Sequence, residues 1–459
     1  MAPTSRLSKI LRRIGVALVL LLLVCAFALW LKPPDLLRVG ANYSAKIVCS
    51  NVFLAGRDPD EVLRADVQAP GVGLLRLMRV SVDRERRVVR AGLLGFIGDG
   101  LAVERTGQGC AAVPDGNLAF ARRVGTGSGP GELTPSPVAP AGAADWPEGN
   151  AVATDPALDR LLADDTLAGP GIRAIVVVNH GRIVAERYGA GFSAATPLLG
   201  WSMAKSVVAG LVGVLVKEGR LALDQPAGWP RIRIANLLAM SSGLRFNEAY
   251  GTVSDVTRML YLEPDMAGFA RGQPLAHPTG EFCSYSSGTA NVLSRIVQDA
   301  AGRLGAKYPA EKLFKPLGMT SATMETDEYG TLVGSSYMYA TARDWARYGQ
   351  FLLQDGVWRG QELLPRGYVA MMASPVAASG GQYGHGLVWL WGSDATAPGQ
   401  DPDLAFGIPA GTFWMEGHDG QSTAIIPSRE LVIVRLGLTP ARDRYTPQPL
   451  VKAVLEATK

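Results

Sequence analysis

The stretch Gly200-Trp201-Ser202-Met203-Ala204-Lys205-Ser206 decides the fold, because it stands directly before a segment that is apolar on nearly every side. Valine and leucine dominate positions 207–216, and a helix that is apolar all round is a buried one. Gly219 is typical of a helix end. The sequence therefore predicts a buried helix that begins at Ser202 and carries Lys205 in its first turn.

Ser202 and Lys205 have the spacing of a serine nucleophile and its base. Residues three apart lie on one face of a helix, and the free N–H groups at a helix start favour developing negative charge. A buried lysine has a lowered pKa because it is desolvated, so Lys205 can accept the serine proton. The alternative is that Ser202 only caps the helix while Lys205 points into solvent, since Ser-x-x-Lys also occurs by chance.

Tyr285 lies in a second segment that suits the same chemistry. It stands among hydroxyl side chains in Ser284-Tyr285-Ser286-Ser287, before a helix predicted over 289–299. A tyrosine hydroxyl both donates and accepts hydrogen bonds, so Tyr285 can relay protons. The alternative is an ordinary loop tyrosine that is anchored by hydrogen bonding.

The third segment is Gly417-His418-Asp419-Gly420-Gln421, ahead of strands predicted over 422–426 and 431–437. Its glycines indicate a close backbone approach at a strand edge. His418 is a candidate site residue, and the alternative is an exposed turn histidine.

Residues 1–35 contain an export segment. Positions 14–31 form an unbroken apolar run with basic residues only on its N-terminal side, which is close to the roughly 20 residues that a spanning helix needs. The basic cluster places the N-terminus in the cytoplasm and the rest outside. We expect a single-pass anchor in the bacterial inner membrane with a periplasmic body. A cleaved signal peptide is the alternative, because Ala26-Phe27-Ala28 resembles a cleavage site.

Residues 36–123 are predicted to form a small β-rich region. Strand-like runs occupy 73–82, 87–94 and 101–105, separated by turn residues. Cys49 and Cys110 bracket the region, and in an exported chain such a pair is most simply a disulfide. Two free buried thiols are the alternative.

Residues 124–150 are rich in Gly, Pro and Ala, which predicts a linker. Residues 151–459 then form the main domain, which opens with a short helix at Pro156 and a hairpin over 174–188.

Composition excludes several classes of function. Four of the 45 basic residues lie in the first thirteen positions, and the remaining 41 match the 41 acidic residues, so nothing indicates a nucleic-acid partner. Four histidines and four cysteines without a metal-binding spacing predict no metal site, and we expect no cofactor.

Taken in order, Ser202-Met203-Ala204-Lys205, Tyr285-Ser286-Ser287 and His418-Asp419-Gly420 resemble the penicillin-recognising serine hydrolases. The flanking segments 237–244 and 342–349 agree, so the resemblance covers roughly 150–459. Within that family the chain is most similar to the class C β-lactamase-like esterases and the 6-aminohexanoate-dimer hydrolases. The resemblance implies an α+β fold of the β-lactamase/transpeptidase type: an antiparallel sheet flanked by helices, its first strands beside its last.

The resemblance also implies roles for individual residues. Ser202 would be the nucleophile, Lys205 its base or proton relay, and Tyr285 the group that serves the leaving group and later activates water. The backbone N–H groups of Ser202 and Gln421 would form the oxyanion hole. His418, Gly420 and Ser287 would line the substrate site.

Two departures from the family pattern argue against a β-lactam substrate. Ser287 replaces the usual asparagine, and His418 replaces a lysine that would hold a carboxylate. We therefore expect a serine hydrolase that cleaves an ester or unstrained amide of a small molecule through an acyl-enzyme. The alternative is a penicillin-binding or cell-wall sensor that acylates without turnover. An α/β-hydrolase with Ser202 in a nucleophile elbow does not suit the Thr-Pro loop that precedes this serine.

Overall fold

The structure is a computed structural model that describes residues 6–70, 73–126, 144–393 and 400–458. Helix α1, Arg6–Leu31, is its first element. Within α1, Lys9–Leu31 is long and apolar enough to cross a membrane and is not buried against the rest of the protein. An N-terminal signal sequence has the same properties, so this helix is a candidate for either role.

The next region combines an antiparallel sheet with one long helix. Its strands, paired in the order β1-β2-β3-β4, are β1 Met78–Asp83, β2 Val88–Leu93, β3 Ile97–Arg105 and β4 Gly109–Ala112, and its helices are α2 Asp35–Phe53, α3 Pro59–Val62 and α4 Leu118–Thr126. The β-rich character is confirmed, whereas α2 is not predicted from the sequence. Helix α2 lies so close to β3 that a Cβ on Gly100 would come 2.2 Å from the Ala41 carbonyl oxygen.

Most of the predicted linker, residues 127–143, lies outside the described residues. At its C-terminal end, Trp146 is fully buried, and its ring lies 5.5 Å from the Arg347 guanidinium. Residues 144–150 therefore pack on the main domain. The division of the chain at 35, 123 and 150 stays a prediction.

The main domain contains the remaining elements. Its strands are β5 Ile172–Asn179, β6 Arg182–Tyr188, β7 Leu198–Leu199, β8 Thr323–Met324, β9 Met338–Ala340, β10 Val357–Trp358, β11 Gln361–Glu362, β12 Phe413–Gly417, β13 Gln421–Ile426 and β14 Leu431–Gly437. Its helices are α5 Pro156–Leu162, α6 Asp165–Ala168, α7 Met203–Lys217, α8 Ile234–Leu238, α9 Asp255–Leu262, α10 Met266–Arg271, α11 Ser287–Ala301, α12 Lys315–Leu317, α13 Ala342–Leu353, α14 Tyr368–Met372 and α15 Gln448–Ala457.

A five-stranded antiparallel sheet, ordered β12-β13-β14-β5-β6, organises this domain. The first strands lie beside the last as expected, with Val177 of β5 opposite Ile433 of β14. Side chains alternate between the two faces of a strand, so Val177 packs with α5 and α15 while Val176 packs with α7 and α13. Helices thus cover both faces, and the predicted α+β fold is confirmed.

Buried polar contacts join the N-terminal region to the main domain. Lys46 of α2 forms an ion pair with Glu325, and both side chains are fully buried. Ser50 Oγ and the Cys110 N–H also donate to Glu325 Oε1, at 2.9 and 2.6 Å. The predicted Cys49–Cys110 disulfide is formed and fixes Cys110 beside α2. Removing one partner of a buried ion pair costs about 3–5 kcal/mol, so the main domain depends on this region for part of its stability.

Candidate active site

Ser202 stands at the N-terminal end of α7, after a strained residue. Trp201 has φ +48°, which is an outlier for a bulky side chain, and such strain is concentrated at functional sites. Gly200 has no room for a side chain, because a Cβ there would come 2.2 Å from the Trp345 ring. Close packing before the helix therefore fixes the position of Ser202.

Lys205 is the buried cation of the site, with 1% of its surface exposed. Its Nζ lies 2.8 Å from Ser202 Oγ, 3.1 Å from Ser287 Oγ and 2.8 Å from the Ser335 carbonyl oxygen. Burial lowers the pKa of Lys205 to about 8, although the negative charge of Glu248 opposes this. Ser202 makes no side-chain capping bond to its helix.

Glu248, which no sequence motif indicates, completes this network. It comes from the loop between α8 and α9, and its carboxylate accepts hydrogen bonds from both the hydroxyl and the backbone N–H of Ser287, the latter at 2.9 Å. A carboxylate is stabilised there because Ser287 begins helix α11.

The hydrogen-bond directions orient the Lys205 amine. Ser287 gives its proton to the Glu248 carboxylate, so its oxygen can only accept from Lys205, and the Ser335 carbonyl also only accepts. A neutral amine has two protons, and these two acceptors use both of them. Its lone pair then points at the third neighbour, Ser202 Oγ, which is the geometry of a base.

Tyr285 lies in the same cluster. Lys205 Nζ is 4.8 Å from the centroid of its ring, and the ring stacks on Trp389 at 5.2 Å and meets Tyr383 edge-on at 5.9 Å. Burial raises the pKa of the Tyr285 phenol, while a hydrogen bond with the Ser202 side chain lowers it in part. The phenol therefore keeps its proton at neutral pH.

His418 lies beside Trp201, the residue before Ser202, and its contacts there are between aromatic rings. Its ring meets Trp201 edge-on at 5.5 Å and stacks on Tyr250 at 4.5 Å. Its Nε2 is 3.4 Å from Asp419 Oδ1. His418 therefore belongs to an aromatic wall beside the nucleophile, with 38% of its side chain exposed.

Gln421 holds the turn between β12 and β13. Its Nε2 donates to the carbonyl oxygens of His418, Asp419 and Gly437, at 3.0, 3.1 and 2.7 Å. Gly420 has φ +80° and would clash with Arg435 if it carried a Cβ, so the turn requires glycine here. The oxyanion role of the Ser202 and Gln421 N–H groups stays a prediction.

Two cavities meet at this turn, since His418 and Asp419 line both. The first, of about 180 Å³, is also lined by Trp201 and Tyr250. The second, of about 420 Å³, is also lined by Trp389, Gly417 and Glu416. Burial raises the pKa of Glu416 to about 7, so the second cavity contains an acid that titrates near neutrality.

The family model described as Beta-lactamase matches residues 158–444, more than half of the chain. The chain belongs to the beta-lactamase family. It is a serine hydrolase, as the resemblance implied, because its relatives in this family are named as hydrolases.

A curated relative is the 6-aminohexanoate-dimer hydrolase of Paenarthrobacter ureafaciens, which is 26% identical over 59% of this chain and 73% of its own length. A structure described as a putative 6-aminohexanoate-dimer hydrolase from Bacillus anthracis aligns with 22% identity and a TM-score of 0.53, over 67% of this chain and 85% of that one. A putative beta-lactamase from Bacteroides dorei aligns with 20% identity and a TM-score of 0.52, over 66% and 98%. The two structures share the fold of this beta-lactamase family member.

The structure thus gathers Ser202, Lys205, Tyr285 and Ser287 around one point, with His418 beside it. No sequence signal identified Glu248, because it stands outside every family motif and reaches Ser287 only through the tertiary fold. Among the residues that the structure describes, no group of three or more His, Cys, Asp or Glu side chains could hold a metal ion.

Proposed function

We propose that this protein cleaves an ester or unstrained amide of a small molecule through an acyl-enzyme on Ser202. The observation that carries the proposal is the contact of 2.8 Å between Lys205 Nζ and Ser202 Oγ, together with a Lys205 pKa lowered to about 8. A lysine with this pKa is neutral in a usable fraction of molecules near pH 7 and can act as a general base.

In acylation, neutral Lys205 takes the Ser202 proton while Oγ attacks the substrate carbonyl. The oxyanion would be bound by the N–H groups of Ser202 and Gln421. Tyr285 gives its phenolic proton to the leaving alcohol or amine and recovers one from the Lys205 ammonium. One proton has then moved from Ser202 through Lys205 to Tyr285, the leaving group carries the former phenolic proton, and Lys205 is neutral again.

In deacylation, water attacks the ester on Ser202. Tyr285 is a poor base because burial keeps its phenol protonated, so its part is to pass the proton of water to neutral Lys205. The proton then returns to Ser202 Oγ as the acyl product leaves. Tyr285 acts in both half-reactions as a relay.

The charges near Ser202 argue against a β-lactam, which carries a carboxylate. The Glu248 carboxylate contacts Ser287 and repels a second carboxylate. His418, at the position where the family has lysine, has no fixed positive charge. The curated relative is named for hydrolysis of a 6-aminohexanoate dimer, whose two units are joined by an unstrained amide, and this supports an unstrained amide or ester as the bond that is cleaved.

The competing function is a penicillin-binding or cell-wall sensor that acylates once. We expect steady release of p-nitrophenol from p-nitrophenyl acetate over many turnovers. One equivalent of p-nitrophenol per protein, followed by no further release, would instead support the sensor.

The export segment and the disulfide support a location outside the cytoplasm. Disulfides persist in oxidising compartments, and Cys49–Cys110 is such a bond. In the proposed location, residues 14–31 anchor the protein in the bacterial inner membrane and the catalytic domain lies in the periplasm. Cleavage after Ala28 and secretion is the alternative.

Glu248 positions Ser287, and its negative charge also raises the pKa of Lys205. The variant Glu248→Gln separates these two effects. Removing the negative charge lowers the pKa of Lys205, so we expect the rise of kcat/KM with pH to be centred below its wild-type midpoint near pH 8. The plateau should fall roughly tenfold, less than the roughly 10²–10⁴-fold expected when a general base is lost outright, because Ser287 is held less firmly.

The measurement is kcat/KM from pH 5 to 10 for wild type, Glu248→Gln and Glu281→Gln. Glu281 is an exposed acid on the loop before Tyr285, and its variant should keep the wild-type profile. A lower plateau with an unchanged midpoint would show that Glu248 is merely structural.

A further inference from the structure

The first cavity, which Trp201 and His418 line, is built partly from the region outside the family match. Helix α2 contributes Leu36, Val39 and Tyr43 to its lining, and these residues precede the matched residues 158–444. Trp201 and His418, which adjoin the catalytic segment, line the same cavity. The N-terminal region therefore shapes a cavity that extends to Trp201, the residue before the nucleophile.

This lining is predominantly apolar. Leucine, valine and aromatic side chains supply most of it, and Val39 and Trp201 are 8% and 5% exposed. Its volume of about 180 Å³ is smaller than the roughly 300–1,000 Å³ of a complete ligand pocket. It is therefore sized to hold one apolar part of a substrate.

The position of Tyr285 indicates which part of the substrate, the acyl group or the leaving group, faces the first cavity. Tyr285 stacks on Trp389, which lines the second cavity together with Glu416. Because Tyr285 protonates the leaving group in the proposed mechanism, the leaving group faces the second, more polar cavity. The acyl group then faces the first cavity, across His418.

The cavity also has an entrance. Leu36 is 42% exposed and follows the end of the apolar helix α1 by five residues. An extended hydrocarbon chain can enter past Leu36 and run along α2 towards Trp201.

We propose that this cavity binds the hydrocarbon chain of the acyl group, so that the enzyme prefers medium-chain acyl esters or amides to acetyl ones. The assignment of the acyl group to this cavity rests on the proposed function, whereas the existence and lining of the cavity do not depend on it.

The first test compares p-nitrophenyl acetate with p-nitrophenyl octanoate, which share one leaving group. Each fully buried methylene is worth about fourfold in affinity, so we expect kcat/KM to be at least about tenfold higher for octanoate. Leu36→Trp, which fills the entrance, should reduce this ratio to below about threefold. Leu77→Trp is the matched control, because Leu77 is 47% exposed in the same region and does not line the cavity; its ratio should match wild type.

A second test does not need turnover. Calorimetry on the Ser202→Ala protein should detect methyl octanoate binding at least about tenfold tighter than methyl acetate, and adding Leu36→Trp should remove the difference. Equal binding of the two esters, or a wild-type octanoate to acetate ratio near one, would overturn the cavity assignment even if esters are hydrolysed. Preferential octanoate binding without any turnover would sustain the cavity and reject the proposed function.

Discussion

Replacing Ser202 with alanine is expected to reduce kcat for p-nitrophenyl esters by roughly 10⁴-fold or more, the scale seen when a serine nucleophile is removed. The substitution removes the atom that attacks the carbonyl, while the buried helix α7 keeps its packing. Labelling by a fluorophosphonate probe should disappear as well.

Ser193→Ala is the matched control for this experiment. Ser193 is an exposed loop residue that hydrogen-bonds with Thr196, so its variant should retain wild-type turnover and labelling. Undiminished labelling of the Ser202→Ala protein would assign the nucleophile to another residue.

The second large effect is expected for Lys205→Arg, which keeps a positive charge but cannot readily lose its proton. If Lys205 must accept the Ser202 proton, kcat/KM should fall by roughly 10²-fold or more, the scale of general-base loss. The rise in activity centred near pH 8, which follows from the lowered pKa of Lys205, should disappear.

Lys217→Arg is the control for replacing a lysine with arginine on this helix. Lys217 is in the last turn of the same helix and forms a surface ion pair with Glu362 at 3.0 Å, so its replacement should leave kcat/KM unchanged. A Lys205→Arg enzyme with near-normal kcat/KM would mean that Lys205 acts only as a fixed charge.

Local sequence patterns predicted the parts of the fold whose chemistry is local. The apolar run after Ser202 became the buried helix α7, and the His180-Gly181 turn joins β5 to β6 as expected. Cys49 and Cys110 formed the disulfide. A short segment was enough to indicate the helix and the turn, and the expected export to an oxidising compartment was enough to indicate the disulfide.

Helix α2 was missed because its sequence has no clear amphipathic pattern. It buries polar side chains such as Asn42, Lys46 and Ser50 together with its apolar ones, since Lys46 and Ser50 pair with Glu325 of the main domain. A pattern based on hydrophobic period cannot predict a face on which Lys46 and Ser50 pair with a carboxylate 275 or more residues away.

Contacts between residues far apart in the sequence also explain why only part of the candidate site could be predicted. The Ser202–Lys205 pair follows from helical spacing, but the hydrogen bonds that orient the lysine come from Ser287 and Ser335 on distant elements. Replacing the usual asparagine by Ser287 looked like a simple loss in the sequence. In the structure this serine donates its N–H to the Glu248 carboxylate, so Ser287 has a specific partner that the sequence does not indicate.

The central claim, a covalent acyl-enzyme on Ser202, is tested most directly by mass spectrometry of enzyme quenched during turnover of p-nitrophenyl octanoate. We predict a protein heavier by one octanoyl group, with the added mass on the peptide that contains Ser202 and absent from the Ser202→Ala protein. An octanoyl group on a different residue, or octanoate turnover that is undiminished in the Ser202→Ala protein, would contradict the account.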